Sequence, residues 1–136
     1  MGDIAIKRIT NKDKDFYNIM GPMLSKRQIV KELGNNVWDD DGKIWYVAMI
    51  NKKVCGFVAA LEQSKNVLFC SDYILPEYRG QGIYELLFAA RLSDFKNSVI
   101  TSTITDASMR TYLSNGFVET GTRGKYHVVR RNPNND

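Results

Sequence analysis

A single histidine, His127, and two cysteines, Cys55 and Cys70, occur in the 136 residues. So small a supply of imidazole and thiol ligands leaves no set for a Cys/His metal centre, and no metal is expected. It also excludes a disulfide framework. Both cysteines sit inside apolar runs and read as small buried hydrophobes of a reducing compartment. No apolar run approaches the ~18–20 residues of a membrane helix. The start, Met1-Gly2-Asp3, places an acid where a secretory signal carries positive charge, and no long apolar stretch follows. Position six is Ile6, not the serine or threonine of a myristoylation signal. These absences together predict a cytoplasmic protein with no membrane partner.

Charge of one sign is not concentrated either. The net charge is +4, but the basic residues fall in short groups such as Lys26-Arg27, Lys52-Lys53 and Arg130-Arg131. They form no stripe interleaved with aromatics, so the basic balance reads as solvated surface and nucleic-acid binding is not expected. No repeat and no linker interrupts the chain. One domain is therefore expected over residues 1–131, followed by a polar tail at 132–136.

What is present is a regular alternation of elements. "IAIKRI" (4–9) alternates as a strand does. Phe16, Ile19 and Met20 recur at helical spacing, and Gly21-Pro22 is expected to end that helix. Ser25 opens a second short helix, "KRQIVKEL", closed by Gly34-Asn35. A loop follows, with Asp41-Gly42 as its turn. "KIWYVAMI", "VCGFVAALE" and "NVLFCSDYIL" read as three successive strands, the first two joined by a hairpin at "NKK". A helix from about Gly82 to Phe95, a strand "SVITSTIT", a helix "ASMRTYLSN" and a final hairpin around Gly121 to Gly124 complete the chain. The order β α α β β β α β α β β is an α+β arrangement in which an antiparallel meander feeds a strand–helix–strand crossover.

The corner "ILPEYRGQGIYELL" carries the chemistry. Glycine lets the backbone turn sharply and lets a ligand approach without a Cβ in the way. A helix that starts there aims unpaired N–H groups and a positive dipole end outward, which suits a phosphate. Arg79 adds a permanent charge with fork-shaped donors. Arg79, Gly80 and Gly82 thus read as an anion cradle. It is no Walker loop, because no Gly-Lys-Ser/Thr follows, and Glu85 breaks the dinucleotide pattern.

The stretch "ILPEYRGQGIYELLFAARL" resembles the central motif of the GNAT superfamily, the acyl-CoA-dependent N-acetyltransferases. That motif is Gln/Arg-x-x-Gly-x-Gly/Ala after a strand ending in apolar-x-Pro, matched here by Arg79, Gly82 and Tyr84 after Ile74-Leu75-Pro76. A second block, "ASMRTYLSNGF", is similar to the family helix with a tyrosine four residues before Gly-Phe, here Tyr112 before Gly116-Phe117. Two positions depart from the pattern: Tyr84 replaces a Gly or Ala, and Thr105 stands where an asparagine is common. The resemblance implies a GNAT-like α+β fold, a mixed, mostly antiparallel central sheet flanked by helices on both faces.

It also implies the reaction: transfer of an acetyl group from acetyl-CoA (coenzyme A) to a primary amine by direct attack in a ternary complex. Backbone groups of Tyr73, Ile74 and Leu75 are expected along the pantetheine arm, with Thr105 opposite. Main-chain amides of Gly80, Gln81, Gly82, Ile83 and Tyr84 are expected on the pyrophosphate, with Arg79 in support. Tyr112 matches the position that protonates the leaving sulfur. Asp72, an acid in an apolar strand, either accepts the amine's proton or pairs with a neighbouring basic group; Glu62, His127 and water are the other candidates. The expected partner is a small-molecule or peptide amine, and a homodimer is compatible with the sequence.

Acceptor choice in such folds comes from the connection between the first two helices, here "MGPMLS", and from the last hairpin. The former is Met-rich and reads as an adaptable apolar wall. Arg123 and Lys125 in the hairpin either hold an acidic group or sit on a solvated tip. The acidic loop Asp39-Asp40-Asp41 offers a surface for polyamines or basic peptides. The alternative to an enzyme is a CoA-binding regulatory or interaction module without turnover, for which Tyr84 and Thr105 argue.

Overall fold

The computed structural model of the chain describes residues 3–24, 26, 27, 29, 31 and 42–133. In chain order the elements are β1 (Ile4–Ile9), α1 (Phe16–Leu24), β2 (Lys43–Ile50), β3 (Lys53–Glu62) and β4 (Val67–Ile74). After a single 3-10 turn, Pro76–Tyr78, come α2 (Ile83–Phe95), β5 (Ile100–Ile104), α3 (Asp106–Ser114), β6 (Val118–Arg123) and β7 (Tyr126–Arg131). Half of the helix expected at 26–33 lies outside the described residues, as do Ser25, the loop with Asp39, Asp40 and Asp41, and the last three residues of the tail.

The strands form one seven-stranded sheet in the order β1-β2-β3-β4-β5-β7-β6. Every neighbouring pair is antiparallel except β4 and β5. This is the mixed, mostly antiparallel α+β sheet expected, with helices on both faces. The parallel pair follows from connectivity, since α2 carries the chain back across the sheet between those two strands.

Burial follows the two-residue period of a strand. On β2, Trp45 and Val47 face one cluster together with Phe57 and Tyr73, covered by Phe16, Met20 and Met23 of α1. Tyr46, Ala48 and Ile50 face the other, with Phe69 and the α2 residues Leu87, Phe88 and Phe95. A sheet covered on both faces needs central strands that are apolar throughout, which is why "KIWYVAMI" shows no polar alternation.

Two local expectations are corrected. The first helix does not end at Gly21-Pro22; it runs on to Leu24 with Pro22 inside it. Phe16, Met20 and Met23 are buried on one stripe, and seating Met23 in the core outweighs the missing N–H at Pro22. The last hairpin turns at Gly124-Lys125, between β6 and β7. Gly121 lies within β6, where the register with β7 shifts by a residue.

No helix among the described residues is long and apolar enough to cross a membrane. Both cysteines are free thiols, Cys55 buried on β3 and Cys70 half-buried on β4.

Candidate active site

Pairing between β4 and β5 is confined to Val67 with Ile100 and Leu68 with Thr101. Beyond that point the strands part, and the Ser102 hydroxyl bridges the apex by donating to the Phe69 carbonyl at 2.7 Å. The rest of β4 presents an unpaired edge toward β5, the kind of edge that an extended ligand can use as an added strand. A cleft of about 690 Å³ opens here.

One wall is the strand end Asp72, Tyr73 and Ile74; another is the mouth of α2 with Gly80, Gly82, Ile83 and Tyr84; Ala107, Ser108 and Arg110 of α3 close the far side. Gly80 and Gly82 have φ of 77° and 81°, the left-handed region that glycine enters without strain. A Cβ built on either would meet nothing within 4 Å. Gly82 is the N-cap of α2 and accepts the first helical bond, from Leu86. The N–H groups of the first turn therefore face outward without helical partners.

Arg79 is positioned by its own strand. Its Nε donates to the Ile74 carbonyl at 2.9 Å, and the guanidinium lies 5.4 Å from the Tyr73 ring centroid. Of the other residues expected in the site, Gln81 turns its amide back to the Glu77 carbonyl. Thr105 is an exposed N-cap of α3, one residue before that helix begins. Leu75, Gln81, Thr105 and Tyr112 are not on the cleft wall.

Beneath the cleft lies a polar network in an apolar layer. Asp72 reaches it because β4 carries a bulge: Tyr73 pairs with Phe57 and Cys70 with Ala59, so two residues oppose one. Ser71 takes up the extra length at a φ of 59°. The bulge shifts the strand's alternation by one, so that Asp72 and Ile74 face the same side as Phe69. From α2, the face that meets them carries Tyr84, Phe88 and Arg91 at helical spacing.

Arg91 is fully buried and holds Asp72 with both terminal nitrogens. Nη1 donates to Oδ1 at 2.6 Å and Nη2 to Oδ2 at 2.9 Å, while Nη1 also reaches the Ala59 carbonyl at 2.9 Å. The Tyr84 and Tyr112 hydroxyls both donate to Asp72 Oδ2, at 2.6 and 2.8 Å. The guanidinium carbon stands 4.0 Å from the Phe69 ring centroid. Of the two roles left open for Asp72, pairing with a basic group is the one this geometry displays.

Burial opposes the charge on Arg91, but Asp72 outweighs it and holds the guanidinium's pKa above its ordinary value. Burial pushes both phenols up, and the carboxylate beside them adds to the shift. Both are therefore protonated donors at neutral pH.

Arg91 and Ser102 are the residues that sequence reasoning missed. A signal existed for Arg91, a basic residue on the apolar stripe of its helix; none marked Ser102. The other candidate bases lie off the cleft. Glu62 is exposed at the end of β3. His127 is held on both ring nitrogens, by Asp106 and Glu119, and these bonds raise its pKa. Arg123 and Lys125 sit exposed at the hairpin tip.

Residues 11–132 match the family described as the acetyltransferase (GNAT) domain. Among curated proteins none matches this chain. Among solved structures, ElaA of Escherichia coli superposes with a TM-score of 0.77 at 12% identity, over 95% of this chain and 99% of that one. The PaiA N-acetyltransferase of Thermoplasma acidophilum, in complex with coenzyme A, gives 0.64 at 13% identity over 96% and 99%. A GNAT family acetyltransferase of Elizabethkingia anophelis with acetyl-CoA bound gives 0.65 at 12% over 95% and 97%. At such identities the likeness is one of fold.

Proposed function

Because the chain belongs to the GNAT acetyltransferase family, we propose that it moves an acetyl group from acetyl-CoA to a primary amine by direct attack in a ternary complex. The observation that carries this reading is the pair of left-handed glycines at the mouth of α2, beside the unpaired edge of β4. Nothing lies within 4 Å of a Cβ built on either glycine, so the backbone at the mouth of α2 is open to a diphosphate and the residues present fit the coenzyme.

The thioester, when bound, supplies an activated acyl group. Tyr73, Ile74 and Leu75 offer the strand edge to the pantetheine arm, and Thr105 offers a hydroxyl from the opposite side. The amides of Gly80, Gln81, Gly82, Ile83 and Tyr84 receive the diphosphate at the helix dipole's positive end, with Arg79 adding charge. Tyr84 lines the cleft with its hydroxyl bonded to Asp72, which fixes the ring beside the cradle.

Tyr112 supplies the proton, or the hydrogen bond, that the departing sulfur needs. It must first release Asp72, whose role is to hold both phenols in position. Asp72 itself is engaged by Arg91 and two tyrosines, so the attacking ammonium loses its proton to solvent in the open cleft before it attacks.

Calorimetry with coenzyme A tests the binding half, and thiol release from acetyl-CoA with a panel of amines tests the transfer. Gly82→Val is expected to weaken coenzyme binding at least tenfold in a protein that still folds by circular dichroism. No heat with saturating coenzyme A would sink the reading. Binding without thiol release across the panel would favour the regulatory module instead.

A further inference from the structure

On the other face of the sheet, a second hollow of about 700 Å³ opens between α1, β1 and the β2–β3 hairpin. Four lysines line it: Lys7 from β1, Lys26 just beyond α1, and Lys52 and Lys53 from the hairpin. They come from three separate stretches of chain, so the fold itself gathers this charge. Two carboxylates, Asp15 and Glu77, share the hollow. Among the described residues none of the four lysines forms an ion pair. The lining between them is apolar, with Met23, Met49, Val54 and Leu75.

The hairpin turn is itself unusual. Asn51 and Lys52 have φ of 50° and 68°, as a two-residue turn of the primed type requires, and the second place in such a turn favours glycine. A lysine there is strained, and strain held by a rigid sheet is a mark of functional positions. Here it delivers Lys52 and Lys53 to the rim of the hollow. The hollow also adjoins the coenzyme cleft, since Tyr78 lines both, and Leu75 directly follows the strand edge at Ile74.

We propose that this hollow seats the acceptor, an amine that carries an anionic group, carboxylate or phosphate, on an apolar body. The lysines hold the anion as point charges. Met23 and Val54 contact the apolar body, and the amine extends past Tyr78 toward the thioester. Pro22 and Met23, expected in a connection but in fact part of α1, thus form one wall of the acceptor site, while its charge selection comes from β1 and the β2–β3 hairpin instead of Arg123 and Lys125. The assignment rests on the acetyltransferase reading above and narrows its substrate class.

The test is a titration of the full ¹⁵N-labelled chain with 6-aminohexanoate, O-phosphoethanolamine, hexylamine and 1,6-diaminohexane, reading the amides of Lys52, Lys53 and Val54. An anionic amine is expected to bind at least tenfold more tightly than hexylamine, more weakly in high salt. The Lys52→Glu/Lys53→Glu double variant is expected to lose that preference. Which anionic probe binds tells carboxylate from phosphate. No response to either, equal response to all four, or a preference that survives charge reversal overturns the proposal. Coenzyme A added to the same samples, read at Gly80 and Gly82, tests the acetyltransferase reading separately. Coenzyme binding without anion preference therefore overturns only the acceptor assignment.

Discussion

Replacing Arg91 by methionine should be the most damaging single change in the layer beneath the cleft. The guanidinium is wholly buried and makes three bonds of 2.6–2.9 Å, two of them to Asp72. Methionine matches its stem but leaves the Asp72 carboxylate nearly buried without its cation. Breaking a buried pair from one side costs about 3–5 kcal/mol. Unfolding entropy of roughly 2.1 cal/mol/K per residue, over 136 residues, is about 0.29 kcal/mol/K. The melting temperature should therefore fall by about 10–17 °C. Thermal unfolding followed by circular dichroism reads this directly. Asp72→Asn should be similarly costly, because it strands a buried guanidinium. The double variant should be less damaging than the sum by about 1–3 kcal/mol, since the second change removes the charge that the first exposed. A drop of less than about 3 °C, which is roughly 1 kcal/mol on this scale, or strict additivity in the cycle, would show that the pair does not hold this layer together.

Three further outcomes are expected. Tyr112→Phe should lower turnover about a hundredfold with coenzyme affinity unchanged; an unaltered rate would reduce Tyr112 to packing between Phe88 and Phe117. The acid limb of kcat/KM against pH should follow the acceptor amine's own pKa and persist in Asp72→Asn, and loss of that limb would restore Asp72 as the base. His127 should titrate by NMR above its usual value near 6.5, because Asp106 and Glu119 favour its cation. A pKa raised in the folded state gives stability that is full below the unfolded value and lost as pH rises through the folded one. The melting difference between wild type and His127→Gln should accordingly fade with increasing pH.

Much of the candidate site was legible in the sequence as local pattern. The glycine pair beside Arg79, and the tyrosine four residues before Gly116-Phe117, are local patterns whose geometry depends on a few adjacent residues. The order of strands and helices along the chain followed from alternation and turn chemistry in the same way. Pro22 misled because a breaker's cost is local whereas the burial of Met23 is not. Gly121 misled because a glycine marks a bulge as readily as a turn. Asp72 stood out as an acid among apolar residues, but its partner lies 19 positions away.

The sequence by itself determined the order of the elements and the glycine-rich turn at the mouth of α2, because periodicity, caps and left-handed glycines act within a few residues of one another. Only the tertiary structure decided what Asp72 does. The bulge at Ser71 turns it to the face where α2 brings Arg91, and a charge in a low-dielectric layer is governed by whatever lies within a few ångströms, however distant in the chain. The same holds for Lys7, Lys26, Lys52 and Lys53, which are ordinary surface lysines until the sheet folds them around one hollow.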